Sequence, residues 1–319
     1  MQESDIKISE EISTKEIRSK RKPGDIFFEN LTLLFALLLI GLVLFIAIEI
    51  YGDSAESIEH FGFSFIFSSD WNPVTEKFGA LAFIYGTIVS SILALLISLP
   101  VSIGVAVFLS EIVHKSVRTP VSFLVEILAA IPSIIYGFWG IYVLAPFMAS
   151  TVQPALSSLF GFLPLFQGPI FGTGMLTASL ILAIMITPII SSITRDVLKA
   201  IPVSQREAAY ALGATRWEAI KMALLNARSG ILGGAVLGLG RAIGETMAVT
   251  MVIGNKAQIK ASLFEPAYSM ASVIANEFAE ASGSLHISSL IEIGLLLFGV
   301  TFIVNTFARI LIYSVTRKT

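Results

Sequence analysis

Residues 229–253 read SGILGGAVLGLGRAIGETMAVTMVI, an apolar run that is long enough to cross a bilayer and is interrupted by Arg241 and Glu245. An ionised arginine at the centre of a bilayer costs about 2.5–3.5 kcal/mol on insertion scales, so such a residue is usually retained for a function. The stretch therefore predicts a membrane-spanning helix that carries functional charge.

The composition of the chain places all of it in the same class. Of the 319 residues, 55% are hydrophobic and 14% are charged, and the mean hydropathy is +0.83, whereas a soluble domain needs roughly 25% charged residues to cover its surface. We therefore expect an all-α integral membrane protein. The chain has no cysteine and three scattered histidines, so we expect no metal site and no cofactor.

Six apolar runs follow a polar tail at residues 1–25 and are predicted to span the membrane. They cover residues 31–51, 78–112, 120–148, 174–193, 229–253 and 287–315. The second run could hold two crossings, because it is long and contains Pro100, which bends or ends a helix. Lys and Arg are concentrated in the tail and in residues 194–228, and a single crossing places both segments on the cytoplasmic side. We therefore expect one transmembrane permease domain, residues 26–319, with both termini cytoplasmic.

The connection at residues 194–228 is predicted to fold as a helical hairpin. Residues 204–207 and 215–218 each have the spacing of a capping box, in which a hydroxyl and a glutamate satisfy free backbone amides of the first helical turn. Gly213 lies between them, where a helix end favours a residue that tolerates positive φ. The pattern predicts a helix, a sharp turn and a second helix.

The hairpin contains Glu207-Ala208-Ala209 and, after three further residues, Gly213. These residues can simply shape a loop, or they can dock on a partner at the cytoplasmic face. The motif resembles the signature loop of the permeases of binding-protein-dependent ABC importers, although residues 223–226 replace the I-x-L-P element that commonly closes that loop. The resemblance implies that these four residues couple the chain to an ATP-hydrolysing subunit.

A longer resemblance, over residues 78–255, is to the phosphate-permease (PstC) family within those importers. It rests on residues 84–87, 95–111, 129–137, 237–249 and 253–255. It implies a permease of the bacterial inner membrane that transports inorganic phosphate by alternating access. The implied partners are a second, PstA-like permease, a dimer of PstB-like ATPases and an external PstS-like phosphate-binding protein, with phosphate passing between the two permeases.

Arg241 and Glu245 are the candidate substrate-binding residues. Gly230, Gly234 and Gly238 precede them at helical spacing, so one helix face carries all five, and small residues at every fourth position allow a neighbouring helix to approach closely. The two charges can neutralise each other and fix the packing, or they can contact an oxyanion in the transport path, which suits a guanidinium. The resemblance favours transport. Protonated phosphate can also donate to Glu245, whereas sulfate cannot, which makes Glu245 a candidate for selectivity.

The sequence contains no G-x-x-x-x-G-K-[ST] loop for ATP and no pairing of a nucleophile with a base. We therefore expect the chain not to be an enzyme and ATP hydrolysis to take place in a separate subunit. Two alternatives stay open: a permease for another oxyanion such as sulfate or molybdate, and an ion-coupled secondary transporter with Glu245 or Glu126 as a proton site. For Glu126, a structural pairing with a basic neighbour is the simpler hypothesis.

Overall fold

The computed structural model describes residues 23–317, so the predicted polar tail lies outside the described residues except for its last three positions. Within this range the regular structure is helical, apart from one bridge between Asn72 and Lys77. The helices are α1 (Pro23–Asp53), α2 (Ala55–Phe61), α3 (Leu81–Val107), α4 (Lys115–Ala130), α5 (Ser133–Phe160), α6 (Met175–Ala200), α7 (Val203–Ala211), α8 (Arg216–Ile243), α9 (Met247–Val252), α10 (Met270–Glu277) and α11 (Ser284–Arg317). Short helical turns occur at Ser64–Phe67 and Pro164–Phe166, and a π-helical turn, Phe108–Ile112, prolongs α3.

The chain divides into two units, Met1–Ile50 and Tyr51–Thr319. The first unit contains most of α1, a helix of 31 residues. At 1.5 Å per residue it is about 46 Å long, which exceeds the hydrocarbon thickness of a bilayer. The helices from α2 onwards belong to the second unit.

Six helices in the described part of the chain are long and apolar enough to cross a membrane. They cover Gly24–Asp53, Leu81–Ile112, Ser133–Phe160, Met175–Ala200, Arg216–Ile243 and Ser284–Ile310. Their number confirms the prediction of an all-α membrane protein with six spans. The second predicted run forms one continuous helix, because α3 continues through Pro100 instead of ending there.

The third span lies further along the chain than the predicted residues 120–148. Ile131 and Pro132 have extended backbones, with ψ of 129° and 138°, because the proline ring disfavours the helical conformation in the residue before it. α4 therefore ends at Ala130, and the long apolar helix begins at Ser133. The prediction of one helix across this proline was wrong.

The fifth predicted span, residues 229–253, is divided as well. α8 ends at Ile243, and α9 begins at Met247 after three residues without helical structure. Gly244 disfavours the continuation of α8, because glycine is a poor helix former. The Glu245 carboxylate accepts a hydrogen bond from the Ala248 amide in the first turn of α9, which favours the start of a new helix. The prediction of one continuous helix was therefore wrong here too.

α6 is the central helix of the second unit and packs against α3 and α8. Its fully buried side chains include Ile181, Leu182, Ile186 and Ile190. Polar contacts accompany this packing: the Thr187 hydroxyl donates to the Ala183 carbonyl at 2.7 Å and lies 2.9 Å from the Ser98 hydroxyl on α3. Each hydroxyl in this contact therefore has a partner, as buried polar groups require.

Aromatic side chains close the end of this unit that lies opposite α7. Phe65 and Phe83 are fully buried there, and Trp71 donates its Nε1 hydrogen to the Glu277 carboxylate at 2.8 Å. Burial raises the pKa of the Tyr268 hydroxyl to about 12, so this group stays neutral at physiological pH. Aromatic and aliphatic side chains therefore form the core at this end of the unit.

Candidate transport and coupling site

α7 and the start of α8 form the helix, turn and helix that the sequence predicts. The capping box of the second helix is confirmed: the Glu218 amide donates to the Thr215 hydroxyl, and the Thr215 amide donates to the Glu218 carboxylate at 2.7 Å. The box predicted at residues 204–207 is wrong. α7 begins directly after Pro202, so Ser204 lies inside the first turn, and no side chain caps this helix.

The turn between the two helices depends on Gly213, whose φ is +83°. The Gly213 amide donates to the Tyr210 carbonyl at 2.9 Å, and the Ala214 amide donates to the Ala209 carbonyl at 3.1 Å. These are the two hydrogen bonds of a Schellman helix end, in which the residue with positive φ is usually glycine. The glycine of the signature motif therefore determines the direction in which the chain leaves α7.

The outer surface of the hairpin is exposed. Glu207 and Ala208 are exposed, Ala209 is half-buried, and α7 has no buried residue. The large apolar side chains that the hairpin exposes are Val203, Tyr210, Leu212 and Trp217. Clustered exposed apolar side chains are typical of a surface that binds another protein.

The three glycines of α8 lie against α6. A Cβ atom at Gly230 or Gly238 would lie 2.5 or 2.8 Å from the side chains of Val197 and Ile190, and one at Gly234 would lie 3.2 Å from a third α6 side chain. Real Cβ contacts are rarely this short. A larger residue at Gly230 or Gly238 would therefore force the two helices apart.

Arg241 and Glu245 have different environments. Arg241 lies in the last turn of α8 and is exposed, whereas Glu245 is 8% exposed and its Oε1 accepts from the Ala248 amide at 3.4 Å. α8 ends between them, so their helical spacing is lost, and within residues 23–317 Arg241 makes no hydrogen bond or ion pair. The two charges therefore do not form the pair that mutual neutralisation requires.

Two interruptions of helical backbone lie close to Arg241. Tyr136 lies within range of the Arg241 charge and donates its hydroxyl to the Leu128 carbonyl at 2.8 Å across the gap between α4 and α5. A Cβ atom at Gly137 would lie 3.2 Å from the Ala248 backbone, so the start of α5 packs against α9. Non-helical backbone at membrane depth occurs where it is buried in protein or lines a water-filled cavity. The non-helical residues here are therefore expected to be covered by protein or by water, and not by lipid.

Glu126 forms the structural pair that the simpler hypothesis predicts. Its Oε1 lies 3.2 Å from Nη2 of Arg195 on α6, and the same guanidinium contacts the Asp196 carboxylate at 3.1 Å. The Arg195 side chain is only 8% exposed, so these carboxylates stabilise a largely buried charge. The pairing of Glu126 with a basic neighbour is therefore confirmed.

Comparison with known proteins identifies the family to which the chain belongs. The family described as "Binding-protein-dependent transport system inner membrane component" matches residues 99–317, which include α7, α8 and both interruptions. The chain belongs to this permease family. A curated relative from Mesorhizobium japonicum, named phosphate transport system permease protein PstC, is 49% identical over 92% of each chain. A relative of the same name from Xylella fastidiosa is 45% identical over 98% of each chain.

Solved structures of ABC transporters share the permease fold. A chain of a bacterial alginate ABC transporter aligns with a TM-score of 0.56 and 21% identity, covering 91% of this chain and 96% of that one. A chain of the inward-facing MetNI methionine ABC transporter aligns with a TM-score of 0.53 and 20% identity, covering 74% and 94%. At this level of identity the likeness concerns the fold alone.

The permease structure also brings forward residues that the sequence did not single out. Tyr136 lies on a separate helix within range of the Arg241 charge. Arg206, next to the motif residue Glu207, pairs with Glu111 at 2.6 Å across 95 residues of sequence. Neither partner could be inferred from local spacing, because each contact depends on how distant segments pack.

Proposed function

We propose that the chain is the membrane-spanning permease subunit of an ATP-driven importer of inorganic phosphate. The observation that carries this proposal is the 45–49% identity, over more than nine-tenths of the chain, to permeases named for phosphate transport. The substrate is an oxyanion, so the permease needs a positive group in its path that is not already neutralised. Arg241 meets this requirement.

We further propose that Arg241 contacts phosphate during transport. Its guanidinium is always charged and presents forked donors that match phosphate oxygens. It is exposed and free of hydrogen bonds and ion pairs within the described residues, and it lies beside interrupted backbone, where water can enter. Glu245 follows on the short connection to α9. Its carboxylate can accept a hydrogen bond from the hydroxyl of monohydrogen phosphate, a donor that sulfate lacks.

The proposed energy source is a separate pair of ATPase subunits that bind the exposed hairpin. Glu207, Ala208, Ala209 and Gly213 form the coupling motif on this hairpin. A second, PstA-like permease would complete the path, and an external PstS-like protein would deliver phosphate. In this arrangement the hairpin and both termini lie in the cytoplasm and the chain lies in the bacterial inner membrane. The hairpin would transmit ATP-driven movement to the spans.

Uptake by reconstituted vesicles tests the proposal. The chain is assembled with the second permease, the ATPases and the binding protein, and the accumulation of radiolabelled phosphate is measured with and without ATP. Arg241→Gln is expected to slow uptake about 10- to 100-fold, because charge-assisted hydrogen bonds contribute roughly 1.5–3 kcal/mol. Arg241→Lys is expected to recover only part of the rate, because lysine keeps the charge without the forked donors.

Arg309→Gln is the matched control, because it removes an exposed arginine from α11. It is expected to transport at close to the native rate. Native uptake by Arg241→Gln would contradict the role of Arg241. Uptake of sulfate at the same rate as phosphate would contradict the proposal that phosphate is the substrate. Uptake driven by a proton gradient without ATP would contradict the proposal that the chain belongs to an ATP-driven importer.

A further inference from the structure

The helix α7 is held to the rest of the unit by polar contacts. None of its residues is buried, so apolar packing does not anchor it. Its side chain with the most contacts to other elements is Arg206, which is only 17% exposed. Any force applied to α7 from outside therefore reaches the bundle through the chain ends of α7, through this arginine, and through Gln205, whose side-chain oxygen accepts from Asn226 of α8 at 2.9 Å.

The Arg206 guanidinium joins three elements. Its Nη2 donates to the Glu111 carboxylate at 2.6 Å and to the Leu198 carbonyl at 2.8 Å, and its Nη1 donates to the Ile201 carbonyl at 3.0 Å. Leu198 lies in the last turn of α6, and Glu111 lies in the π-helical turn that ends α3. Because the Glu111 side chain is also only 13% exposed, water weakens this ion pair less than it weakens a surface pair.

The other arm of the hairpin holds the same end of α3. Arg216, the first residue of α8, donates to the backbone carbonyls of Glu111 at 2.6 Å and Ile112 at 3.3 Å. The last carbonyls of a helix lack partners within that helix, so external donors such as these stabilise its end. Residues on both sides of the Gly213 turn are therefore attached to one helix end about 100 positions earlier in the chain.

We propose that Arg206 and Glu111 are positioning residues that make α3 move together with the hairpin. The proposal rests on the proposed function, in which ATPase subunits displace the hairpin. The covalent chain links α7 directly only to α6 and α8. The Arg206–Glu111 pair attaches α7 to the end of α3 as well. α3 in turn packs along α6 and contacts it through the hydroxyls of Ser98 and Thr187. In this arrangement α3, α6, α7 and the start of α8 shift as one rigid body.

The ratio of phosphate transported to ATP hydrolysed tests this role in the complete assembly. The double variant Glu111→Gln/Arg206→Gln removes both charges and leaves no buried charge unpaired. Its ratio is expected to fall at least about fivefold, the lower end of usual coupling effects, while the ATPase subunits still copurify in native amounts. The single variants are expected to behave alike, and the exchanged pair Glu111→Arg/Arg206→Glu is expected to recover more coupling than either single variant.

Glu126→Gln is the matched control, because it breaks an ion pair between α4 and α6 that does not touch the hairpin. Its ratio is expected to stay within about twofold of native, as for a pair with one exposed partner. A native ratio in the double variant would overturn the proposal. Loss of the ATPase subunits from the double variant would overturn it too, because the pair would then only shape the docking surface.

A distance measurement tests the same proposal without phosphate. The chain has no cysteine, so Ile112→Cys and Ser204→Cys, both at exposed positions, can carry spin labels when the partner subunits are cysteine-free. With the native pair, the distance between the labels is expected to change by less than about 2 Å between the nucleotide-free and vanadate-trapped states, the size of small helix shifts. In the double neutral variant it is expected to change by more.

A distance that changes equally with and without the pair would overturn the rigid attachment of α3. This measurement separates the two proposals, because it depends on the ATPase subunits and not on the transported solute. If the native assembly fails to accumulate phosphate, the proposed substrate is wrong, and the label distances still decide whether α3 follows the hairpin.

Discussion

Replacing Gly213 tests whether the backbone of the turn, and not a side-chain contact, makes the hairpin work. Gly213 has φ of +83°, and a Cβ atom at this position would meet nothing within 4 Å. A substitution therefore causes no clash with neighbouring residues, and its effect comes from the backbone conformation. For an L-residue the left-handed conformation costs about 1–2 kcal/mol, and a β-branched residue is expected near 2 kcal/mol, within the roughly 1–3 kcal/mol range for such strain.

Gly213→Val is therefore expected to raise the free energy of the turn by about 2 kcal/mol, which lowers the population of the intact turn by up to about 30-fold. Opening the turn would also break the hydrogen bonds from Gly213 and Ala214 to the last carbonyls of α7. ATP-driven phosphate uptake by reconstituted vesicles is expected to fall strongly, while the amount of the chain in the membrane stays native. The same preparations give the amount of ATPase that copurifies.

A graded series of residues identifies the backbone as the cause. Asparagine tolerates positive φ, so Gly213→Asn is expected to retain most of the activity, with alanine between asparagine and valine. Native uptake by Gly213→Val with an unchanged assembly would refute the reasoning, because the turn would then not be needed for coupling. Equal losses with asparagine and valine would also refute it, because they would point to a side-chain effect.

Two further substitutions test the packing of α8 and the selectivity of the path. Gly230→Leu is expected to lower the free energy of unfolding of the purified assembly by about 1–3 kcal/mol, as overpacking does. Gly233→Leu is expected to have little effect, because a Cβ there meets nothing within 4 Å. Equal melting temperatures of the two variants would contradict the close contact with α6. Glu245→Gln is expected to lower the ratio of phosphate to sulfate uptake in the same vesicles, and an unchanged ratio would remove Glu245 from the selectivity mechanism.

The parts of the fold that the sequence predicts correctly are those that depend on neighbouring residues. Hydropathy sums over about 20 adjacent residues and gave six spans, because each helix must satisfy its own backbone within the membrane. The hairpin turn was predictable because Gly213, Thr215 and Glu218 lie within six positions of one another. Glu126 was assigned to a structural pair because an ionised group near the membrane requires a partner.

The errors occur where a local break competes with a long apolar run. Residues 120–148 are apolar on both sides of Pro132, so hydropathy alone does not separate α4 from α5. Residues 244–246 interrupt α8 although the apolar pattern continues into α9. In both places a helix ends although the apolar pattern continues. The sequence signals are Pro132 in the first place and Gly244-Glu245 in the second.

The candidate site was less predictable than the fold, because arginines look alike in a sequence and differ only in their partners. Arg206 and Arg216 donate to groups about 100 residues away, and Arg195 pairs with Glu126. Periodicity placed Arg241 and Glu245 on one helix face, but the break between them removed that relation. Which arginine is free to bind an anion could be seen only after distant segments had been brought together.

This distribution of partners is the reason for proposing Arg241, and no other arginine described above, as the residue that contacts the transported anion. At the hairpin end, each arginine described above donates to a carboxylate or to the carbonyls of a helix end, so its charge stabilises the fold. Arg309 makes no such contact among the described residues, but it lies about 12 Å from the end of α11, where lipid headgroups and water can solvate it. Arg241 lies far from the hairpin, at the opposite end of α8. It is close to residues 244–246, the non-helical connection between α8 and α9. Among the described residues no carboxylate pairs with this charge, so it is open to an anion from outside the chain, and we propose that the transported oxyanion is that anion.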